Sequence, residues 1–399
     1  MEYTWDLYSQ LSLMMFLEFA IWGAWAPVLA ARLLGPLKMT GKQTGWIYAT
    51  LPLACIFSPL IAGQLADEYF ASDRIIAVAH VIGAVLLFVA VKQTRFVPLF
   101  VTMLLYSTCY AATLPLVNAV MFTHLGKVLS PEEVGAASGW IFLWAPVSWA
   151  LSGYFLTGWR QVVGESDGRD CLLLAAVLSA VMGLVLFFYV PFTPPAQAGG
   201  VPIVKAFSML SDPNFLIFLA ISLVVAGLMQ FYFLGTAQFM QDMGIPSKFV
   251  PAAMALAQAA QAVATFVLLG VLIAEVGFKW TLALGALSWA LMYAVYVAGK
   301  PRSLIILSQS LHGIAYVLFL IAGQIYANEV ARPEIRSSVQ ALVFAATTGL
   351  GLFIGTQAAG IVMDASSVDG KFNWRKVWGV PGGVMAAGVV ALAIWAVAM

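Results

Sequence analysis

The chain alternates between long apolar stretches and short polar interruptions that contain charged residues, proline and glycine. A helix needs about 20 mostly apolar residues to cross the hydrocarbon core of a bilayer. Proline and glycine inside such a stretch are compatible with helix, because neighbouring membrane helices satisfy the backbone groups that they free. The pattern predicts twelve spans: 10–33, 43–66, 74–92, 97–122, 134–157, 170–190, 213–241, 248–272, 279–298, 302–326, 336–362 and 376–398.

The longest polar interruption, 191–212, has clustered prolines and glycines that break any helical pattern. It divides the chain into a predicted N-terminal six-helix bundle at 1–190 and a C-terminal six-helix bundle at 213–399. The equal division indicates an internal duplication. The predicted fold class is an all-α polytopic membrane protein with twelve transmembrane helices in two bundles.

Composition supports the membrane assignment and excludes several classes of function. Hydrophobic residues make up 62% of the chain and charged residues 9%, whereas a soluble domain has about 25% charged residues. The formal net charge is +1, so the chain lacks the basic surface that a nucleic-acid partner requires. Glu2 and Asp6 precede the first apolar stretch without any lysine or arginine, which predicts a retained helix rather than a cleaved signal peptide.

A polar motif follows the second predicted span, from Gly63 to Arg74, with the sequence GQLADEYFASDR. It resembles the G-x-L-A-D-x-x-x-x-x-x-R signature between helices 2 and 3 of the major facilitator superfamily of secondary transporters. The resemblance implies two bundles that rock about a central site. In such a motif the glycine lets two helices approach closely, while Asp67 and Arg74 lock one conformation of a gate.

Five further segments narrow the resemblance to the nucleoside:proton symporter family. The resemblance implies a multi-pass inner-membrane protein with cytoplasmic termini that takes up nucleosides, together with protons in the family, through a cavity between the bundles. The segments are FLEFAIWGAW (Phe16 to Trp25), GWIYATLPLACIFSPLIAGQLADEYF (Gly45 to Phe70), TLPLVN (Thr113 to Asn118), EIRSSVQALV (Glu334 to Val343) and NWRKVW (Asn373 to Trp378).

The chain also departs from the family at its ionisable positions. The run Phe142 to Pro146 stands where the family has R-x-W-G-T, without the arginine or the threonine. Tyr316 aligns with the helix 10 aspartate that the family uses for proton coupling, and Ala264 aligns with a helix 8 glutamate. Two family glutamines are retained, as Gln230 and Gln261. The resemblance therefore carries over the amide contacts with substrate but not the ionisable groups.

Glu18 is the only one of the eighteen acidic residues that lies well inside a predicted span. Removal from water favours the neutral form of a carboxyl group, which suits it to binding and releasing a proton. The family commonly has glutamine at this position. Two interpretations remain open: Glu18 has taken over proton coupling, or it stays protonated and hydrogen-bonds as a glutamine would.

Polar and aromatic residues deep in the spans are candidates for substrate contact. Amides and phenols can hydrogen-bond a neutral solute without introducing a charge, and an indole can stack on a planar base. The alternative for each polar residue is an interhelical hydrogen bond, and for a tryptophan it is anchoring at the membrane surface. The candidates are Trp22, Asn118, Gln230, Gln261 and Tyr316.

No metal, cofactor or enzyme motif is found in the sequence. His80, His124 and His312 are scattered over three spans, without metal-ligand spacing. Phosphate-binding loops and nucleophile motifs are absent, so neither an ATP-driven pump nor a hydrolase is indicated. The predicted function is secondary transport of a small neutral solute, and a nucleoside is the leading candidate for that solute. The alternatives are another solute, such as a sugar or a peptidoglycan fragment, and a sensor that does not transport.

The distribution of lysine and arginine opposes the orientation that the resemblance implies. With cytoplasmic termini, six of the 19 cations lie inside and thirteen outside, whereas cytoplasmic loops usually carry the excess. We retain the family orientation, because the signature motif is tied to the cytoplasmic side. The six predicted to lie inside are Arg74, Lys127, Lys205, Lys279, Arg332 and Arg336.

Overall fold

The computed structural model describes residues 5–164, 167–195, 207–331, 339 and 342–398, and these residues are almost entirely helical. Helices of the N-terminal half are α1 (Trp5–Trp25), α2 (Leu29–Leu34), α3 (Gly41–Glu68), α4 (Ser72–Lys92), α5 (Phe96–Leu125), α6 (Pro131–Phe142), α7 (Trp144–Val163) and α8 (Arg169–Phe188). Helices of the C-terminal half are α9 (Pro213–Asp242), α10 (Val250–Val267), α11 (Leu269–Ala298), α12 (Arg302–Leu307), α13 (Gln309–Ala315), α14 (Ala322–Val330), α15 (Leu352–Ala365) and α16 (Trp374–Ala398).

Shorter elements interrupt the C-terminal half. Segments Tyr316–Ile321 and Ala345–Gly351 are π-helical, and 3₁₀ turns cover Phe207–Ser211 and Ser247–Phe249. Before α16, β1 (Ser367–Val368) and β2 (Lys371–Phe372) form an antiparallel hairpin.

Eleven helical segments of the described chain are long and apolar enough to cross a membrane. The predicted span 134–157 is instead formed by α6 and α7, with only Leu143 between them. The boundary predicted between 272 and 279 coincides with a break inside α11, where Gly277 has the non-helical angles φ 77° and ψ 170°. Glycine adopts a positive φ without steric cost.

Local sequence explains where several helices begin. Thr40 and Gln43 form a reciprocal capping box at the start of α3, and Ser130 and Glu133 form another at the start of α6. Both satisfy amide groups that the first helical turn leaves unpaired. Asp212 caps α9 just before Pro213, a residue suited to the first helical position.

Apolar side chains cover the outside of the bundle, while many hydroxyl and amide groups lie within it. Val85, Leu184 and Ile394 are each more than half exposed, which would be unfavourable in water but matches hydrocarbon. Thr50, Ser107 and many other polar residues are buried instead. This distribution is that of a multi-pass membrane protein.

The two halves contact each other along helix pairs α3 with α15 and α7 with α10. Small residues allow backbone contact across the halves: a Cβ atom on Gly41 would lie 2.6 Å from the Gly360 carbonyl oxygen, and one on Gly153 would lie 2.7 Å from that of Pro251. Gly63 differs, because a Cβ atom there would meet none of the described atoms within 4 Å. The close helix approach predicted at Gly63 stays a prediction.

Candidate substrate and proton site

A small cavity lies where α1 and α7 of the N-terminal half meet α9 and α10 of the C-terminal half. Its volume of about 10 Å³ is space for about one water molecule. A drug-sized solute needs a pocket of at least about 300 Å³, so the halves must separate before it can enter. The lining residues are Gly23, Pro27, Val28, Trp149, Gly153, Leu156, Tyr232, Phe233, Pro251, Met254, Ala255 and Gln258.

Three aromatic side chains, Trp22, Trp149 and Phe233, form a continuous contact across the two halves. We call them the aromatic bridge. The ring centroids of Trp22 and Trp149 are 5.5 Å apart, and those of Trp149 and Phe233 are 6.2 Å apart. Both pairs are edge-to-face, an arrangement that aromatic quadrupoles favour. Of the predicted substrate residues, Trp22 is thus placed directly beside the cavity wall.

The predicted glutamines lie on the helices that line the cavity in the C-terminal half. Gln230 is 5% exposed and precedes Phe233 by one turn of α9. Gln261 follows the cavity residue Gln258 by one turn of α10, and residues three apart share a helix face. Within the described chain, no hydrogen bond to either side-chain amide is present. Both amides therefore remain available to a ligand.

Tyr316 and Asn118 occupy different surroundings. The Tyr316 backbone begins a π-helical segment, one turn after Gly313, whose backbone approaches Gln261 so closely that a Cβ atom would lie 2.7 Å from its nitrogen. Tyr316 therefore lies one helical turn from this contact with the Gln261 backbone. Asn118 is on α5, and its Oδ1 is buried without a hydrogen-bond partner in the part of the chain that the structure describes. It does not line the cavity between the halves.

Glu18 is fully buried within the N-terminal half, outside the cavity lining. Its Oε2 lies 2.8 Å from His80 Nε2, and its Oε1 accepts a hydrogen bond of 2.7 Å from the Thr113 hydroxyl. The Tyr110 hydroxyl donates to the Glu18 carbonyl oxygen at 2.7 Å. Sequence reasoning found Glu18 but missed His80 and Thr113, because neither lies near it in the chain.

The described part of the Gly63 to Arg74 motif ties α4 to α8 inside one half. Arg74 donates to the Phe187 carbonyl oxygen at 3.2 Å and pairs with Asp73 at 3.3 Å. Its guanidinium also lies over the Phe187 ring, 5.2 Å from the centroid. The side chain of Asp67 lies outside the described residues, so the gate that we predict from Asp67 and Arg74 stays a prediction.

Polar contacts close one end of the molecule, which we call the closed end and which includes residues 35–40, 164, 167–168, 243–247 and 366–373. Asp364 of the C-terminal half accepts hydrogen bonds from the backbone nitrogens of Gly41 and Lys42, at 2.5 and 2.9 Å. Arg160 donates to the Ser247 carbonyl oxygen at 3.3 Å. The sequence alone places Arg160 and Asp364 outside the predicted spans and does not indicate that they contact the opposite half.

Buried arginines at the closed end are paired with acids. Arg32 has a fully buried side chain and lies 2.9 Å from Asp167. Burial by itself would raise the Asp167 pKa, but hydrogen bonds and charge from Arg32 and from Arg169 outweigh it and hold the pKa below its ordinary value. Arg160 pairs with Asp170 through two hydrogen bonds of 2.5 and 2.8 Å.

Comparison with known proteins shows the family to which the chain belongs. The sequence model described as a nucleoside H⁺ symporter matches residues 5–397. The chain belongs to the nucleoside H⁺ symporter family. Its sequence is 29% identical to YegT of Escherichia coli (strain K12), with 96% of this chain and 92% of that protein covered. The nucleoside permease NupG of the same organism is 26% identical, with 94% and 92% covered.

Solved structures confirm the fold. The crystal structure of the nucleoside transporter NupG superposes with a TM-score of 0.86 at 23% identity, covering 98% of this chain and 99% of that one. A D-xylose–proton symporter superposes with a TM-score of 0.73 at 15% identity, covering 98% and 97%. The predicted fold class and family are thus confirmed, and the nucleoside H⁺ symporters are transporters rather than enzymes.

Proposed function

We propose that this nucleoside H⁺ symporter takes up nucleosides together with protons by alternating access at a site between its halves. The observation that supports it best is that Gln230 and Gln261, on the two C-terminal helices that line the cavity, have no hydrogen-bond partner for their side-chain amides among the described residues. An aromatic surface can stack on a base, and amides can hydrogen-bond base or ribose. The names of two relatives, a nucleoside permease and a xanthosine permease, support this substrate class.

Each candidate residue has a role in this proposal. Gln230 and Gln261 bind the nucleoside, Trp22 stacks on its base, and Tyr316 and Asn118 supply further polar contacts once the halves separate. The residues 1–190 and 213–399 move as two bundles joined by 191–212. Glu18 carries the proton in place of the aspartate that the family has where this chain has Tyr316.

The proposal also fixes an orientation. The protein lies in the inner membrane with both termini in the cytoplasm, so the closed end faces outward and the substrate leaves on the opposite side. Gly63, Asp67 and Arg74 then lie at the cytoplasmic end, where Asp67 holds a gate. This orientation places most cations outside, and its support is the family's signature motif.

Uptake of radiolabelled uridine into proteoliposomes tests the function. We expect saturable uptake that unlabelled nucleosides inhibit and that an inward proton gradient increases. If sugars or peptidoglycan fragments inhibit uptake and unlabelled nucleosides do not, the transported substrate is not a nucleoside but another solute. Uridine binding to the purified protein without any uptake or exchange would indicate a sensor instead of a transporter.

A further inference from the structure

Two buried titratable side chains, Glu18 on α1 and His80 on α4, meet inside the N-terminal half. We propose that they hold one exchangeable proton between them and that the presence of this proton fixes α1 against α4. This inference rests on the proposed function, because it gives the coupled proton a site. It adds His80 as a second proton-binding residue and a means by which protonation reaches the cavity.

Hydrogen bonds around His80 determine which ring nitrogen exchanges the proton. The Ser179 hydroxyl donates to the His80 carbonyl oxygen at 2.9 Å, so its single hydrogen is used. Its oxygen therefore accepts from His80 Nδ1, which lies 3.1 Å away. Because Nδ1 must carry a hydrogen to donate, the neutral ring has its bare lone pair on Nε2. Nε2 is the nitrogen that faces Glu18 at 2.8 Å.

A single proton on the line between His80 Nε2 and Glu18 Oε2 makes the pair neutral overall. It can reside on the carboxyl group, beside a neutral imidazole, or on the imidazole, beside a carboxylate. Both forms keep one hydrogen bond and no net charge, which a fully buried site requires. Loss of the proton leaves a buried carboxylate whose lone pair faces that of Nε2 at hydrogen-bond distance, and this repulsion drives the two helices apart.

Thr113 fits the pair in either form. Its hydroxyl oxygen lies 2.7 Å from Glu18 Oε1 and 2.7 Å from the Tyr110 carbonyl oxygen. Whether the proton lies on Oε2 or on His80 Nε2, Oε1 carries no hydrogen, so the Thr113 hydroxyl donates to Oε1 in both forms. This hydrogen bond holds the carboxyl group with Oε2 toward His80.

The other helices packed around Glu18 bring no compensating cation. From α5, the titratable groups Tyr106 and Tyr110 face it. From α7, the Ser152 hydroxyl donates to the Ala20 carbonyl oxygen at 3.2 Å, and α8 contributes Ser179. In the described chain, no lysine or arginine hydrogen-bonds or pairs with Glu18. His80 is thus the one side chain seen there that can neutralise it.

The pair connects to the cavity through α1. Trp22 lies one helical turn beyond Glu18 and belongs to the aromatic bridge, and its ring also contacts Tyr110 with centroids 6.2 Å apart. Tyr110 in turn donates to the Glu18 carbonyl oxygen. A shift of α1 that follows proton loss therefore moves Trp22 relative to Trp149, which lines the cavity. Proton occupancy and the shape of the substrate site change together.

Transport by Glu18→Gln and His80→Gln variants in proteoliposomes tests the inference, with His124→Gln as the matched control. His124 is a histidine of the same half that hydrogen-bonds Thr193, away from the pair. One proton per uridine supports at most about tenfold accumulation for a pH difference of about one unit. Both test variants should exchange labelled for unlabelled uridine but no longer accumulate it, while the control accumulates as the unmodified protein does. Full accumulation by either test variant would overturn the inference.

Infrared difference spectroscopy of the purified protein gives a second readout that does not depend on transport. Acidification should produce a difference band of the Glu18 carboxyl group, either a carboxylic-acid band or a shifted carboxylate band beside the imidazolium, and this band should be absent from Glu18→Gln. If that variant does not fold, Thr113→Val should shift the band, because it removes the hydroxyl beside Oε1. An unshifted or pH-independent band would overturn the inference. A failure of the unmodified protein to exchange uridine would refute the proposed function, while the band still tests the pair.

Discussion

At the scale of single residues, the two glutamines show what a polar group inside a membrane protein can signify. A buried amide normally finds a partner, because leaving it without one costs free energy. Gln309 does so: its amide donates to the Tyr296 hydroxyl and to the Ile305 carbonyl oxygen. Gln230 and Gln261 make no such bond in the described chain, which is why we propose them as the groups that bind the nucleoside.

Replacement of either glutamine by alanine should weaken uridine binding. Each loses a hydrogen bond to a neutral ligand, which costs on the order of 1 kcal/mol, or roughly fivefold in affinity. Isothermal titration calorimetry on purified Gln230→Ala and Gln261→Ala measures the change. Gln161→Ala, an exposed amide at the end of α7, is the control. Unchanged affinity in both variants would place the nucleoside elsewhere.

The Asp167 carboxyl group is expected to make stability depend on pH. Its folded-state pKa is lowered, so the stabilisation is fully present above the ordinary aspartate value of about 3.9 and is lost as the pH falls through the folded-state pKa. Asp167→Asn should lower the melting temperature at neutral pH, and the difference from the unmodified protein should shrink at strongly acidic pH.

Thermal unfolding in detergent at a series of pH values measures this dependence. Asp6→Asn, at an exposed acid near the start of α1, serves as the control and should melt as the unmodified protein does. A difference between Asp167→Asn and the unmodified protein that stays constant down to acidic pH would show that the stabilising contact does not depend on the charge of Asp167.

At the scale of elements, the start of α3 is held by the opposite half of the molecule. The first backbone N–H groups of a helix lack partners within it and carry the positive end of its dipole. Asp364, near the end of α15, fills this position at Gly41 and Lys42. A carboxylate from one half thus caps a helix of the other, and this contact exists only while the closed end is closed.

Asp364→Asn should shift the protein toward states that are open at the closed end. The amide retains one acceptor oxygen but loses the charge, which weakens the cap by about 1–2 kcal/mol, a roughly 5- to 30-fold change in population. Spin labels at Val162→Cys and Val368→Cys, with the native cysteines replaced, allow the distance between the halves to be measured by double electron–electron resonance. In Asp364→Asn the distance distribution should gain a longer component. Asp369→Asn, at an exposed acid of the hairpin loop, is the control. An unchanged distribution would contradict the role of Asp364.

At the scale of the whole molecule, the two halves contact each other at the closed end, and alternating access requires a second gate at the opposite end. Asp67 is the proposed gate residue there. Asp67→Asn should reduce uridine transport more than uridine affinity, because a gate changes the populations of states without contacting the ligand. Uptake and equilibrium binding, measured on the same preparation, compare the two effects. If Asp67→Asn transports uridine normally at an equal amount of protein, Asp67 has no role in gating and is only a solvated charge at a helix end.

The sequence by itself determined the fold class, the approximate spans and the family. The bilayer requires each span to be long, apolar and almost free of charge. Each span can therefore be recognised from its own residues, without knowledge of its neighbours in the fold. Glu18 was recognised for the same reason, since a lone carboxyl group in an apolar stretch is visible without any partner. The amide positions of Gln230 and Gln261 came from the family resemblance.

Only the tertiary structure decided which side chains meet. His80 and Thr113 reach Glu18 from two other helices, and Ser179 on a third hydrogen-bonds His80. No spacing along the chain encodes these contacts. The Asp364 cap joins residues more than 300 positions apart, because helix packing brings the ends of α15 and α3 together. Helical periodicity fixes the face on which a residue lies, whereas the partner opposite that face is chosen by how the helices pack in three dimensions.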